Sequence, residues 1–280
     1  MSGIEFLNKI IAKQTEALAH KKQQVPEDKL REQVANMQPT LGFAAALSST
    51  PSIIAEMKKA SPSTGLLRAN YDAATLARSY AENGAACISV LTNEHFEGED
   101  EHLLQVREAV TVPLLRKDFI IDEYQVYETR VLGADALLLI AACLDDDELI
   151  KLGGLGLQLG LDVLFEAHSM HEAQRLLAIA NNISGNSSPF SAKVILGVNS
   201  RDLHSFKIDL TRATEILSYL SQEGDYMLVG ESGIKSAADI SRFIGAGAHA
   251  FLIGESFMRA EDPGTVLKSF LEECINGKPE

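Results

Sequence analysis

Gly133-Ala134-Asp135-Ala136-Leu137-Leu138-Leu139 is one of three copies of a short phrase, the others being Gly84-Ala85-Ala86-Cys87-Ile88-Ser89-Val90 and Gly247-Ala248-His249-Ala250-Phe251-Leu252-Ile253. In each copy the glycine suits the left-handed residue that ends a helix. The apolar run after it reads as a short strand buried on both faces, the mark of a parallel sheet. Each phrase is therefore a helix-to-strand joint. Working outward, apolar runs recur near 52–57, 85–92, 112–116, 135–140, 161–167, 194–198, 226–230 and 249–254, giving eight expected strands.

Helical patterns separate them: Leu76 and Tyr80 before Gly84; Tyr124, Tyr127 and Val131 before Gly133; Ile240, Phe243 and Ile244 before Gly245; and Val266, Phe270 and Cys274 after the last strand. Asp122 suits the N-cap of the third helix, Ser236 with Asp239 forms a capping box for the seventh, and Asp262-Pro263 opens the eighth. Eight strands each followed by a helix predict a single (β/α)₈ TIM barrel over 51–280. Residues 1–50 are an N-terminal helical extension of two helices parted near Pro26, one carrying Leu7, Ile10, Ile11 and Leu18, the other Leu30, Val34 and Met37. That extension is either a lid on the mouth or a plug over apolar barrel surface. The stretch 181–189, Asn-Asn-Ile-Ser-Gly-Asn-Ser-Ser-Pro, reads as a tolerated surface loop before the sixth strand.

Composition bounds the function. With 280 residues, 46% apolar and 23% charged, the chain is an ordinary globular protein. A net charge of −14 with no basic block argues against nucleic acid. No apolar run approaches a membrane span, and Glu5 and Lys9 interrupt the N-terminal apolar residues, so no signal peptide or membrane is expected. Three dispersed cysteines, Cys87, Cys143 and Cys274, suit a reducing cytoplasm. The glycines of 154–160 end a helix rather than follow a strand, and GxSxG and Walker motifs are absent. His168 and His171 lack a third ligand and read as two surface histidines; neither a metal nor a cofactor is expected.

Barrel enzymes carry their chemistry at the carboxyl ends of the strands. There the chain places Glu56 and Lys58 (two apart, hence on one strand face), Lys117 with Asp118 and Phe119, Glu166, Asn199 with Arg201, Glu231-Ser232-Gly233, and Gly254-Glu255. Any one charge here could simply be solvated. Lysines and an arginine alternating with three glutamates around one rim make a layout for proton transfer. The echo of Gly230-Glu231-Ser232-Gly233 in Gly254-Glu255-Ser256 fits either two tight turns or backbone amides approaching an anion, and a phosphorylated small substrate would account for cations at the mouth of an acidic chain.

At these positions the sequence resembles the indole-3-glycerol-phosphate synthase family. The resemblance lies in Ile53-Ile54-Ala55-Glu56-Met57-Lys58-Lys59-Ala60-Ser61-Pro62-Ser63, Pro113-Leu114-Leu115-Arg116-Lys117-Asp118-Phe119, Asn199-Ser200-Arg201-Asp202-Leu203 and Glu231-Ser232-Gly233-Ile234, extended by Ser89-Val90-Leu91-Thr92 with Phe96 and by Leu252-Ile253-Gly254-Glu255. It implies a cytoplasmic carboxy-lyase of tryptophan biosynthesis that closes an indole ring without cofactor or metal. It also implies Lys117 as general acid and Glu166 as catalytic carboxylate, with Glu56, Lys58 and Asn199 as partners. Ser61, Gly233, Gly254 and Glu255 match the phosphate pocket, Glu255 through its backbone N–H. Arg201 matches substrate anchoring, Phe96, Phe119 and Leu203 the aromatic slot, and Glu231 and Ser232 the rim. Asn93, Ala167 and Gly230 depart from residues often found in the family, and the sequence identifies no protein partner. Two alternatives stay open: a lyase or aldolase using Lys58 or Lys117 as a Schiff base, and a barrel that binds a phosphometabolite without turnover.

Overall fold

The computed structural model describes residues 3–61, 64–184, 194–203 and 205–276. Eight parallel strands, β1 (Ser52–Met57), β2 (Cys87–Leu91), β3 (Leu114–Lys117), β4 (Ala136–Ile140), β5 (Asp162–Ala167), β6 (Val194–Asn199), β7 (Met227–Glu231) and β8 (Ala250–Ile253), close into a barrel. The closing seam pairs Ser52 with Ala250 and Ile54 with Leu252. All eight expected strands are present.

The helices are α1 (Gly3–Gln24), α2 (Glu27–Val34), α3 (Phe43–Ala46), α4 (Ala73–Glu82), α5 (Asp100–Ala109), α6 (Glu123–Val131), α7 (Asp146–Gln158), α8 (Met170–Ser184), α9 (Leu210–Glu223), α10 (Ala237–Gly245), α11 (Glu255–Met258) and α12 (Pro263–Asn276). The repeated phrase does what its residues dictate. Gly84, Gly133 and Gly247 have φ of 97°, 83° and 97°. The amide after each bonds back five residues, Ala85 to Tyr80, Ala134 to Thr129 and Ala248 to Phe243, which closes a Schellman motif and turns the chain into the next strand. Asp122 accepts the Tyr124 amide, and Ser236 and Asp239 form their capping box.

Two helix ends differ from expectation. α2 stops at Val34, short of Met37, because Gln38-Pro39 follows and the residue before proline disfavours helix. Residues 181–184 continue α8 instead of opening a loop: Ile183 packs near Gly153 of α7, and the Tyr226 hydroxyl donates to Asn181. The rest of the expected loop, 185–189, lies outside the described residues.

Strand alternation sorts the core into two layers. Outward residues such as Ile53, Phe165 and Phe251 pack under the helices, while Ile54, Cys87, Leu115, Leu138, Leu164, Ile195, Val229 and Leu252 fill the barrel. Phe43 and Leu47, around α3, seal the amino-terminal end of that interior. Two buried aspartates fasten the plug. Asp135 accepts the amides of Leu41 (2.7 Å) and Leu114 (2.8 Å) and pairs with Arg107 (3.0 Å); Asp162 accepts the amide of Ala44 (2.7 Å). Asp135→Ala strands two amides and a guanidinium, so stability should fall by about 1–3 kcal/mol. Urea unfolding should register that loss while turnover at the opposite end of the barrel is unchanged.

The extension supplies both a cover and a plug, from different stretches. While α3 closes one end, α1 lies across the other, with Leu18 packed beside Leu30, Tyr124 and Tyr127 and with Lys13 pairing Glu94 (3.1 Å) and Lys22 pairing Asp122 (2.8 Å).

Candidate active site

Along five of the inward rows the strand reaches a polar side chain at its carboxyl end. Ile54 is followed by Glu56, Leu115 by Lys117, Leu164 by Glu166, Gly197 by Asn199 and Val229 by Glu231. One cavity collects them. Glu56, Lys58, Lys117, Glu166, Asn199 and Glu231 line its polar side. Phe96, Phe119, Leu203 and Phe206 line an apolar side together with Leu138 and Ile140 of β4 and Leu7 and Ile10 of α1. Ser61, Arg201 and Ser232 complete the wall. An adjoining cavity, sharing Glu56, Lys58, Arg201 and Ser232, is lined by Gly233, Gly254, Glu255, Lys235 and Arg259. All of the residues singled out at the strand ends are thus brought together, in two connected compartments.

The charges are tightly arranged. Lys117 Nζ donates to Glu166 Oε2 at 2.7 Å and lies 3.7 Å from Glu231 Oε2; Asn199 Nδ2 donates to Glu166 Oε1 at 3.1 Å; Lys58 Nζ donates to Glu56 Oε2 at 2.5 Å. Burial works to lower the pKa of Lys117, but the facing Glu166, Glu231 and Glu56 outweigh it and raise it above the ordinary lysine value. Burial would raise Glu166, and Lys117 and His168 overcome it, holding this carboxyl well below the usual range. Glu231 goes the other way: burial first, then the neighbouring Glu166 carboxylate, push it well above the usual range. Two carboxyls driven apart in this manner are suited to different roles beside the same lysine.

Gly197 has to be glycine for Glu231 to sit there. A Cβ at this position would fall 2.3 Å from Glu231 Oε1 and 3.1 Å from Leu164 Cδ1. Gly197→Ala is therefore expected to displace the Glu231 carboxyl and lower kcat about tenfold or more, with an overpacking cost of about 1–3 kcal/mol in stability. Steady-state kinetics beside a melting curve check both. Gly230, a departure from the family pattern, has its own reason: a Cβ would meet Phe243 Cδ1 at 2.3 Å. Asn93, another departure, donates to Asp118 (2.9 Å) and to Gln14 of α1 (3.1 Å).

The histidine expectation needs correction. His171 is exposed, but His168 is only 4% exposed and its Nε2 lies 3.0 Å from Glu166 Oε1. His168 is the first residue after β5, and its ring lies against the far side of the Glu166 carboxyl from the cavity. The two-residue spacing that linked Glu56 to Lys58 was the available signal. Glu255 presents its carboxylate to Arg201 (3.4 Å) and Arg259 (3.2 Å), a side-chain role beyond the backbone amide expected of it. Lys235, Arg259 and Phe206 were not singled out by sequence, and Leu7 and Ile10 only as apolar residues of the first helix; they come from loops and helices, where no strand period marks them. Among the described residues no group of His, Cys, Asp or Glu is placed to hold a metal ion, and none of their helices is long and apolar enough to cross a membrane.

Solved structures similar to this chain are barrel enzymes. They include the tryptophan synthase alpha subunit of Legionella pneumophila str. Paris (TM-score 0.60, 14% identity, 84% of this chain and 98% of that chain). They also include thiamine phosphate pyrophosphorylase of Pyrococcus furiosus (0.57, 14%, 84% and 98%) and orotidine 5'-phosphate decarboxylase of Pyrococcus horikoshii OT3 (0.57, 12%, 80% and 99%). At these identities the likeness shows the fold alone. A family model described as indole-3-glycerol phosphate synthase matches residues 7–270.

Proposed function

The chain belongs to the indole-3-glycerol phosphate synthase family, and from that premise we propose which of its side chains perform the reaction. The enzyme is a carboxy-lyase of tryptophan biosynthesis. It closes the ring of 1-(2-carboxyphenylamino)-1-deoxyribulose 5-phosphate with loss of carbon dioxide and water. The observation that carries the assignment of roles is the Lys117–Glu166 pair, 2.7 Å apart between the apolar slot and the cationic compartment.

The substrate's anthranilate ring takes the slot of Phe96, Phe119, Leu203 and Phe206, and its phosphate takes the compartment of Gly233 and Gly254, with Ser61, Lys58 and Arg201 at the junction. Gripping the phosphate away from the reacting atoms lets its binding energy orient the ketone toward the ring. Lys117 donates a proton to the ketone oxygen as the ring carbon attacks. While paired with Glu166 it is a weak acid; as Glu166 turns to the positive charge growing on the ring nitrogen, Lys117 loses the partner that raised its pKa and becomes a competent donor. Carbon dioxide then leaves, restoring the aromatic ring. Asn199 keeps Glu166 in place, and Glu56, Lys58 and Glu231 are the groups available for the dehydration. The three free thiols suit a reducing cytoplasm.

The protein contains 0 Trp, so indole formation can be followed directly over a background of 6 Tyr and 11 Phe. Purified protein mixed with the substrate should give a rise in indole fluorescence that persists in chelator. A folded sample that binds substrate and gives no rise would return the barrel to the metabolite-binding reading.

A further inference from the structure

Behind Glu166 lies a group that the reaction as described does not use. His168 does not line the cavity; it stands between two carboxylates. Its Nε2 is 3.0 Å from Glu166 Oε1 and its Nδ1 is 3.6 Å from Glu172 Oε2. Glu172, in the first turn of α8, is itself fixed. Its Oε2 accepts the His168 backbone N–H at 2.6 Å, and its own N–H donates to Ser169 Oγ at 3.2 Å. Both ring nitrogens are buried, and each has a carboxylate oxygen within 3.6 Å.

Resting on the reading of Glu166 as the catalytic carboxylate, we infer that His168, braced by Glu172, is a positioning residue that holds Glu166 Oε1 from behind, leaving Oε2 to turn from Lys117 to the substrate. The geometry divides the two oxygens in this way: Oε1 meets His168 and Asn199, whereas Oε2 meets Lys117. Once Lys117 has given up its proton it no longer balances Glu166. His168 is then the cation that remains beside it and keeps it charged while positive charge builds on the ring nitrogen.

The surroundings support a charged ring. Burial would lower the His168 pKa, but Glu166 from β5 and Glu172 from α8 outweigh it and raise it to about 9. Lys117 of β3 and Glu231 of β7 lie beyond Glu166. Cys143, after β4, is the other titratable neighbour of Glu166 and Glu172, and burial pushes its thiol up to about 12, so it stays neutral.

The test compares pH profiles of kcat for the wild type, His168→Phe, His168→Gln, Glu172→Gln and Glu166→Gln. Removing the cation lets the Glu166 pKa rise, so the acid limb of both His168 variants should move to higher pH by about one unit. His168→Phe should lose about tenfold or more in kcat with KM within about twofold. His168→Gln, which keeps a donor but no charge, should recover part of kcat and keep the shifted limb. In Glu172→Gln the His168 pKa falls, so the basic limb should move to lower pH. Wild-type kcat and an unmoved acid limb in His168→Gln would overturn the inference, as would a kcat loss that follows melting temperature with no limb shift. An inactive Glu166→Gln beside an unaffected His168→Gln sinks the His168 role alone, whereas a fully active Glu166→Gln sinks the reading on which it rests.

Discussion

Lys117→Ala should lower kcat by about 10²–10⁴, or roughly 3–5 kcal/mol of barrier, in a protein that still folds and still binds its substrate. The expectation follows from position. Lys117 ends β3 on the inward row, with three carboxyls drawing its proton tight and the apolar slot beside it. Lys117→Arg separates acid catalysis from mere positive charge: the guanidinium keeps the charge but does not give up a proton at working pH. If Lys117 works by donating a proton, the arginine variant should be nearly as slow as the alanine variant; if charge alone suffices, it should recover most of the rate. Borohydride added during turnover should leave no adduct on Lys117 or Lys58, whereas a trapped adduct would favour Schiff-base chemistry. Near-wild-type turnover in Lys117→Ala would refute the assignment outright.

Arg116→Met should cost about 3–5 kcal/mol of stability, a fall in melting temperature of roughly 6–20 °C. Arg116 points outward from β3, 1% exposed, and its Nη2 lies 2.8 Å from Asp100, 2.8 Å from Glu128 and 3.3 Å from Asp118. Lys21 of α1 joins the same cluster, pairing Asp100 and lying 2.8 Å from Glu128. Methionine would fill much of the volume but leave three acidic groups to one lysine. Asp100 shows how pH enters: burial would raise its pKa, and Arg116 and then Lys21 outweigh that and lower it. A depressed carboxyl contributes stability above its unfolded pKa, near 3.8, and loses it as pH falls through the folded value. In the variant only Lys21 is left to depress it, so the gap to wild type should be widest at neutral pH and shrink in acid. Urea unfolding at pH 7 and at a pH below 3.8 measures both, and a loss under about 1 kcal/mol at neutral pH would show that the cluster rearranges without Arg116.

The barrel was legible in the sequence because a strand covered on both faces is a continuous apolar run and each joint needs its glycine. The strand-end residues followed from the two-residue period. His168 was missed because it was paired with His171 at helical spacing instead of with Glu166 at strand spacing. The Arg116 cluster could not be read at all: Lys21, Asp100, Asp118 and Glu128 come from different elements with no shared period. A plug was one of two readings of the extension, but its place was not legible, because α3 has four residues, too few to show a period, and the aspartates that hold it, Asp135 and Asp162, sit inside or beside apolar runs that read as core.

The seam between β1 and β8 has a consequence for how the enzyme is made. Glu56 and Lys58 belong to the earliest strand to leave the ribosome, and Gly254 and Glu255 follow the latest. The compartment proposed for the phosphate is complete only when those two have met, so a chain can hold most of its strands and still lack it. Closing so distant a contact is the slow part of folding such a topology. A ligand that binds at that junction is a ligand of the closed ring alone, and any such ligand favours the closed ring by mass action.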